Sequence, residues 1–183
     1  MTEEEIYVGC RRGDGASQRE MYNRYSGIML VVGLRHVVDR QAAEDILHDV
    51  FIGVFSHFEK FSFRGEGSLK AWLKRVMVNA SLDYLRRSRS FQTVDADALK
   101  DEEIPVDEEV AESVPADVVM RFIQALPHGY RTVFNLYTFE RRSHREIAEM
   151  LGINEKSSSS QLSRAKAILV REINDYMKKN CEI

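Results

Sequence analysis

SHREIAEMLGINEKSSSSQLSRAK, residues 143–166, is the stretch that decides how the chain is read. Ser143 followed by Glu146 is an S-x-x-E capping box, in which the serine accepts an orphan first-turn N–H and the glutamate reaches back, so a helix is predicted to start here. Ile147, Met150 and Leu151 recur at helical spacing and give that helix one apolar face. Ala148 is small, as suits a close crossing of two helices. Gly152 stops the helix, because glycine enters the left-handed conformation without steric cost. Asn154 can cap a second helix by accepting one of its first-turn N–H groups. That helix carries Ser157, Ser158, Ser159, Ser160, Gln161, Ser163, Arg164 and Lys166, a face able to donate to phosphates and base edges and too polar for a core. Four consecutive serines are poor helix formers, so the helix has a reason beyond its own stability. Two short helices on a glycine turn, the second polar and basic, read as a helix-turn-helix DNA reader. The ordinary alternative is a helical hairpin with a solvated outer face.

The rest of the chain bears on that choice. With 183 residues there is room for one large domain or two small ones, and a hydrophobic content of 44% allows a sizeable core. Only 3 prolines and 10 glycines interrupt it, strand signals are scarce, and apolar residues recur at three and four, so the expected class is all-α. Cys10 and Cys181 sit at opposite ends in no metal or disulfide spacing, which suits a reducing cytoplasm. The acidic opening, Met1 to Glu5, is unlike a secretory signal, and the longest apolar run, residues 28–34, is too short to insert in a membrane.

The net charge of -3 hides a segregation. Residues 1–59 hold six Lys and Arg against ten Asp and Glu, and residues 60–90 eight against two. Residues 91–117 hold one against ten, and residues 118–183 eleven against seven. Two basic segments therefore flank an acidic one. Residues 91–117, acidic, with two prolines and few apolar residues, read as a linker disordered in isolation. Such a linker averages about 30 Å as a coil and reaches roughly 90 Å at full extension. It divides the chain into a first domain, 1–90, and a second, 118–183.

In the first domain, two helices break near Gly13-Asp14-Gly15. The second, about 16 to 38, is apolar nearly all round and is expected to be the buried centre of a bundle. Asp39 can cap the next helix, whose buried stripe is Ala43, Leu47, Val50, Phe51, Val54 and Phe58. Its other face shows Glu44, Asp45, His48, Asp49 and His57. A carboxylate-rich helix with a histidine one turn on could be half a metal site, but no second Glu-x-x-His supplies partner ligands, so no metal or other cofactor is expected. That leaves a solvated acidic face or a docking surface for a basic partner.

After Phe61 comes the loop Phe63-Arg64-Gly65-Glu66-Gly67. Ser68 is expected to cap a helix of about 69 to 89, in which Lys70, Lys74, Arg75, Arg86, Arg87 and Arg89 interleave with Trp72, Leu73, Val76, Leu82 and Tyr84. Cations that follow a phosphate backbone, mixed with rings that stack on bases at about 1–3 kcal/mol each, are what a single-stranded nucleic acid site needs. Trp72 is expected in the core, whereas Phe61 and Phe63, in a glycine loop, are expected to be exposed. The second domain is expected to start near Pro115, to break at Leu126-Pro127, and to carry Val133, Phe134, Leu136 and Tyr137 on its next helix.

These stretches, taken together, resemble the extracytoplasmic-function group of the sigma-70 family. Ala43-Glu44-Asp45 with ILHDVFIGVF resembles the family's polymerase-binding helix. Phe63-Arg64-Gly65, Trp72-Leu73, Val76 to Asn79 and Leu82-Asp83-Tyr84-Leu85-Arg86-Arg87 resemble the region that melts and reads the −10 element. Leu126-Pro127 with Arg131-Thr132-Val133-Phe134 resembles the start of the −35-binding domain, and Glu146-Ile147-Ala148, Leu151-Gly152-Ile153, Leu162 and Arg164-Ala165 its helix-turn-helix. The resemblance implies a sigma factor, not an enzyme, that works in the cytoplasm with core RNA polymerase, promoter DNA and an anti-sigma factor. Its polymerase contacts would be the β′ clamp helices, through Glu44, Asp45, His48 and Asp49, and the β flap. For −10 DNA it implies Phe61, Phe63, Arg64, Lys70, Lys74, Arg75, Asn79, Arg86 and Arg87, with Phe63 and Asn79 where the family captures a flipped base. For −35 DNA it implies Arg145, Lys156, Ser159, Ser160, Gln161, Ser163, Arg164 and Lys166. It also implies that the acidic linker threads the RNA-exit path. The chain departs from the family's common Thr-Val-x-Ser-Arg: Ser158 stands for the valine that packs the recognition helix, and Gln161 for the arginine. Two rivals remain, a stand-alone helix-turn-helix regulator of duplex DNA and a metalloenzyme built on Glu44, Asp45 and His48.

Overall fold

The computed structural model describes residues 1–88 and 114–180, and those residues are helical with no strand among them. The all-α expectation holds. The chain divides into two units, 1–89 and 90–183. Residues 91–113 of the expected linker lie outside the described residues.

The first unit comprises α1 (Glu3–Arg11), α2 (Gly15–His36), α3 (Arg40–Ser56), a 3-10 turn at Phe58–Lys60, and α4 (Ser68–Arg87). Local caps set three of the starts. Thr2 and Glu5 form a reciprocal box on α1, Asp14 accepts from Ser17 N–H at 2.8 Å, and Asp39 accepts from Ala42 N–H at 2.7 Å. Each satisfies a donor that helix geometry leaves unpaired. α1, α3 and α4 all pack on α2, so α2 is the central helix.

It is not apolar all round, however. Met21, Tyr25, Met29, Val32 and His36 form its buried stripe, while Ile28 and Val31 face out. Three neighbours cannot cover every side of a helix. Close approach is built in at two glycines. A Cβ at Gly9 would lie 1.9 Å from the Ser17 hydroxyl oxygen, and one at Gly33 2.4 Å from the Met77 methyl. Met21, Met29, Leu69, Leu73 and Met77 are fully buried, each contributing about 1.5–3 kcal/mol of apolar transfer against the cost of ordering the chain. Cys10 is buried too, and burial, then the nearby Asp14 charge, pushes its thiol up to about 11.

Ser68 is not the cap of α4. Gly67 holds that position with φ +84° and has no side chain to give. Ser68 instead folds back within the loop, donating to Gly65 O at 2.6 Å and accepting from Arg64 N–H at 3.2 Å. The α4 donors are taken by Glu3, as described below.

The second unit comprises α5 (Ala116–Ala125), α6 (His128–Thr138), α7 (His144–Leu151) and α8 (Glu155–Asn180). α5 opens inside the span reckoned to the linker: Pro115 is its N-cap, and Asp117 lies in its first turn, 3.7 Å from Arg121. α5, α6 and α7 all pack on the long α8. Ile123, Leu126, Tyr130, Ala165 and Leu169 form one buried cluster, and Val133, Leu136 and Ile147 are fully buried. Among the described residues no helix is long and apolar enough to cross a membrane.

Candidate polymerase and nucleic-acid interfaces

The α3 stripe read from the sequence is buried at each of its six positions, which turns the acidic side outward. Asp45, His48 and Asp49 are exposed and Glu44 is half-buried. Glu44 pairs with Arg40 at 2.8 Å, and Asp45 accepts from Gln41 at 3.1 Å. Ile52, one turn beyond His48 on this face, is 64% exposed. Sequence reasoning missed it, although helical spacing from His48 was available as a signal. Among the described residues no three His, Cys, Asp or Glu side chains are placed to share a metal ion.

Asn79 lies on the exposed side of α4 with Arg75 one turn before it and Asp83 one turn after. Trp72 and Arg86 extend that ridge at helical spacing. Arg86 pairs with Asp83. Arg64, Lys70 and Arg87 are also exposed, and Lys74 is half-buried. Phe61 departs from expectation. It is 5% exposed, stacked on Trp72 at 4.8 Å with Tyr7 edge-on at 5.6 Å. Three aromatic rings, Tyr7, Phe58 and Trp72, close over it, so it supports the surface and is not part of it. Phe63 is half-buried, with its ring on Tyr7 at 5.5 Å and 22°. Trp72 is half-buried rather than fully in the core.

The stretch that opened the sequence reading folds as expected. Ser143 Oγ accepts from Glu146 N–H at 3.3 Å, and Glu146 accepts from Ser143 N–H at 2.9 Å. Gly152 ends α7 with φ +68°, and Asn154 accepts from Ser157 N–H at 2.7 Å. The Ser143 backbone bond, the Arg142 guanidinium and the Ser143 hydroxyl pull the Glu146 carboxyl from its usual 4.5 down to about 2. A depressed carboxyl stabilises the fold fully above its unfolded pKa and loses that contribution as pH falls through the folded one. First-turn amide protection in α7, followed by hydrogen exchange, should therefore decline from pH 4.5 towards 2, and Glu146→Gln should remove that dependence.

On α8, Lys156, Ser159, Ser163 and Lys166 are exposed, while Ser160, Gln161 and Arg164 are half-buried. Ser158 is not on the outer face. It is 0% exposed, one turn before Leu162 in the stripe that continues to Ala165 and Leu169. Its hydroxyl lies 3.0 Å from His144 Nδ1, so a hydrogen bond to α7 replaces apolar packing. Arg164 donates to Tyr130 at 3.4 Å, and Gln161 reaches towards Gly129. Arg145 is exposed beside Glu149 at 3.4 Å. A cleft of about 610 Å³ next to the turn is lined by Tyr137, Arg141, Arg142, Ser143 and Lys166. Lys166 Nζ lies 5.9 Å from the Tyr137 ring centroid and His144 stacks on the same ring at 4.8 Å. Sequence reasoning missed the two arginines of this cleft, although the Arg141-Arg142 pair directly precedes the capping box.

Comparison with known proteins bears directly on these two units. The sigma-70 region 2 model matches residues 21–91, and the sigma-70 region 4 model matches residues 116–169. The chain belongs to the sigma-70 family. The ECF RNA polymerase sigma factor SigM of Bacillus subtilis is 27% identical over 161 residues, spanning 85% of this chain and 97% of that protein. The Mycobacterium tuberculosis protein of the same description is 33% identical over 129 residues, spanning 70% of this chain and 63% of that protein. The sigma factor RpoE of Bartonella quintana, solved with the anti-sigma factor NepR, shares the fold at a TM-score of 0.51 and 18% identity, covering 85% of this chain and 96% of that one. The chain is thus a promoter-directing sigma factor of RNA polymerase, and sigma factors as a family are transcription initiation factors.

Proposed function

We propose that α3 docks on the β′ clamp helices of core RNA polymerase through Glu44, Asp45, His48 and Asp49, with Ile52 as an apolar anchor. An acidic face on a basic partner gains orientation and association rate more than affinity. α4 and the loop before it read and melt −10 DNA, with Phe63 and Asn79 on one unstacked base and Arg64, Lys70, Lys74, Arg75, Arg86 and Arg87 along the phosphates. Phe61 contributes by holding Trp72 and Tyr7. α8 enters the −35 major groove through Lys156, Ser159, Ser163 and Lys166, with Arg145 at the backbone; Ser160, Gln161 and Arg164 lie at the edge of that face. The −35 domain also touches the β flap, and an anti-sigma factor holds the protein inactive in the cytoplasm. The protein itself catalyses no reaction and uses no cofactor.

The observation that carries this reading is the outward ridge of α4, where exposed Asn79 stands one turn after Arg75 and one turn before the Asp83–Arg86 pair, with the Phe61–Trp72 stack at the start of the helix. The test is run-off transcription with core polymerase from the source bacterium on fragmented genomic DNA. Discrete starts that share two upstream elements are expected. Binding to core without any transcript would point to an inhibitor, and no binding to core would leave the stand-alone regulator in front.

A further inference from the structure

α1 precedes the matched region 2 span, which opens at residue 21, yet it is bonded directly to the loop that precedes α4. Glu3 is 1% exposed. One of its carboxylate oxygens accepts the Gly67 N–H. The other accepts the Lys70 N–H at 3.1 Å and the Tyr25 hydroxyl at 3.0 Å. A buried carboxylate is tolerated when its oxygens are bonded, and a helix start is where a negative charge is favoured. An N-cap side chain at position 67 could reach only the Lys70 N–H, and the φ of +84° there favours glycine. Glu3 instead ties the start of α4 to a helix more than sixty residues away in sequence.

One turn along α1, Tyr7 lies against the same loop. Its ring stacks on Phe63 at 5.5 Å and meets Phe61 edge-on. Arg11, a further turn on, donates to the Tyr7 hydroxyl at 3.0 Å and steadies the ring. Thus one ridge of α1 holds both the backbone at Gly67 and one face of Phe63.

We infer that α1 belongs to the −10 reading apparatus. Glu3 is a positioning residue that fixes the 62–67 loop against the first turn of α4, and Tyr7 backs Phe63. Together they present Phe63 and Asn79 at a set separation to one unstacked base. This rests on the −10 reading proposed above and adds α1 to it.

The test is equilibrium binding of a non-template −10 oligonucleotide to holoenzyme, with an abasic site moved through each position in turn. The wild type should lose about tenfold in affinity at one position, where a stacked base is removed. Phe63→Ala should flatten that preference, and if it does not, the −10 reading itself is wrong. Given that control, Glu3→Gln, which aims an amide N–H₂ at donors, and Tyr7→Leu, which keeps apolar volume without a ring, should each cut the preference to about threefold or less, the loss of part of one stacking interaction. Titration against core polymerase should give wild-type affinity for both. Either variant, folded by circular dichroism and with the full wild-type preference, overturns the role assigned to the residue it replaces. If Glu3→Gln does not fold, Tyr7→Leu decides.

Discussion

Arg131→Met is expected to destabilise the second unit by about 2–4 kcal/mol, enough to unfold much of it. The cause lies at the α5–α6 corner. α5 ends at Ala125, and Leu126-Pro127 cannot continue it, since proline has no N–H and disfavours helix in the residue before it. The last carbonyls of α5 are therefore left without helical donors. Arg131, one turn into α6 and 8% exposed, reaches back and donates to Gln124 O at 2.9 Å and to Leu126 O at 3.0 Å. Burial holds its pKa below the usual guanidinium range. Burial and the Arg131 charge together also push the neighbouring His128 down. Methionine keeps most of the volume, so the cavity term is small, but it withdraws the Arg131 donor from two carbonyls, each loss costing about 1–3 kcal/mol. Urea melts of the full chain should show an early transition, with hydrogen exchange placing the loss in α5 to α8 and leaving α1 to α4 protected. A midpoint unchanged within error would mean that water serves those carbonyls as well as Arg131 does.

What the sequence revealed follows the range of each interaction. Caps at Ser143, Asp39 and Asn154 reach three residues, so residue type and spacing suffice to read them. The α3 stripe was legible because a single period fixes which residues face inward. The cap of α4 was not legible, since a local serine stood at the expected place while the working carboxylate, Glu3, comes from another helix. Phe61 was misplaced for the same reason. Its surroundings, Tyr7, Phe58 and Trp72, come from α1, the 3-10 turn and α4, and a glycine loop nearby says nothing of them. Ser158 shows the opposite error. Residue type suggested surface, yet its register with Leu162, Ala165 and Leu169 already placed it inward. Register outweighs residue type once a helix is packed, and the polar group then needs a partner, which His144 supplies.

Asn79→Ala is expected to lower promoter opening by about tenfold to hundredfold, the worth of one base-discriminating contact at roughly 1–3 kcal/mol. Two features of the fold separate this from a stability effect. Asn79 is exposed in mid-helix, where alanine is the better helix former by about half a kcal/mol, so α4 should not weaken. Among the described residues its amide also has no hydrogen-bond partner; the local backbone bond that would give it a purely structural role is not formed. A side chain that offers both a donor and an acceptor, and is tied to neither, suits a base edge. Its neighbour Arg75 provides the contrast. A phosphate contact carries no sequence information, so Arg75→Ala should weaken binding to all promoters alike and reduce the salt slope by about one. Permanganate reactivity of −10 thymines would report opening, and a separate titration would report core affinity, which the proposed function assigns to the distinct α3 face. A drop in core affinity with Asn79→Ala would move this residue from the DNA face to the polymerase face. Equal opening on every −10 sequence tried would make Asn79 a backbone contact, leaving Phe63 alone to hold the base.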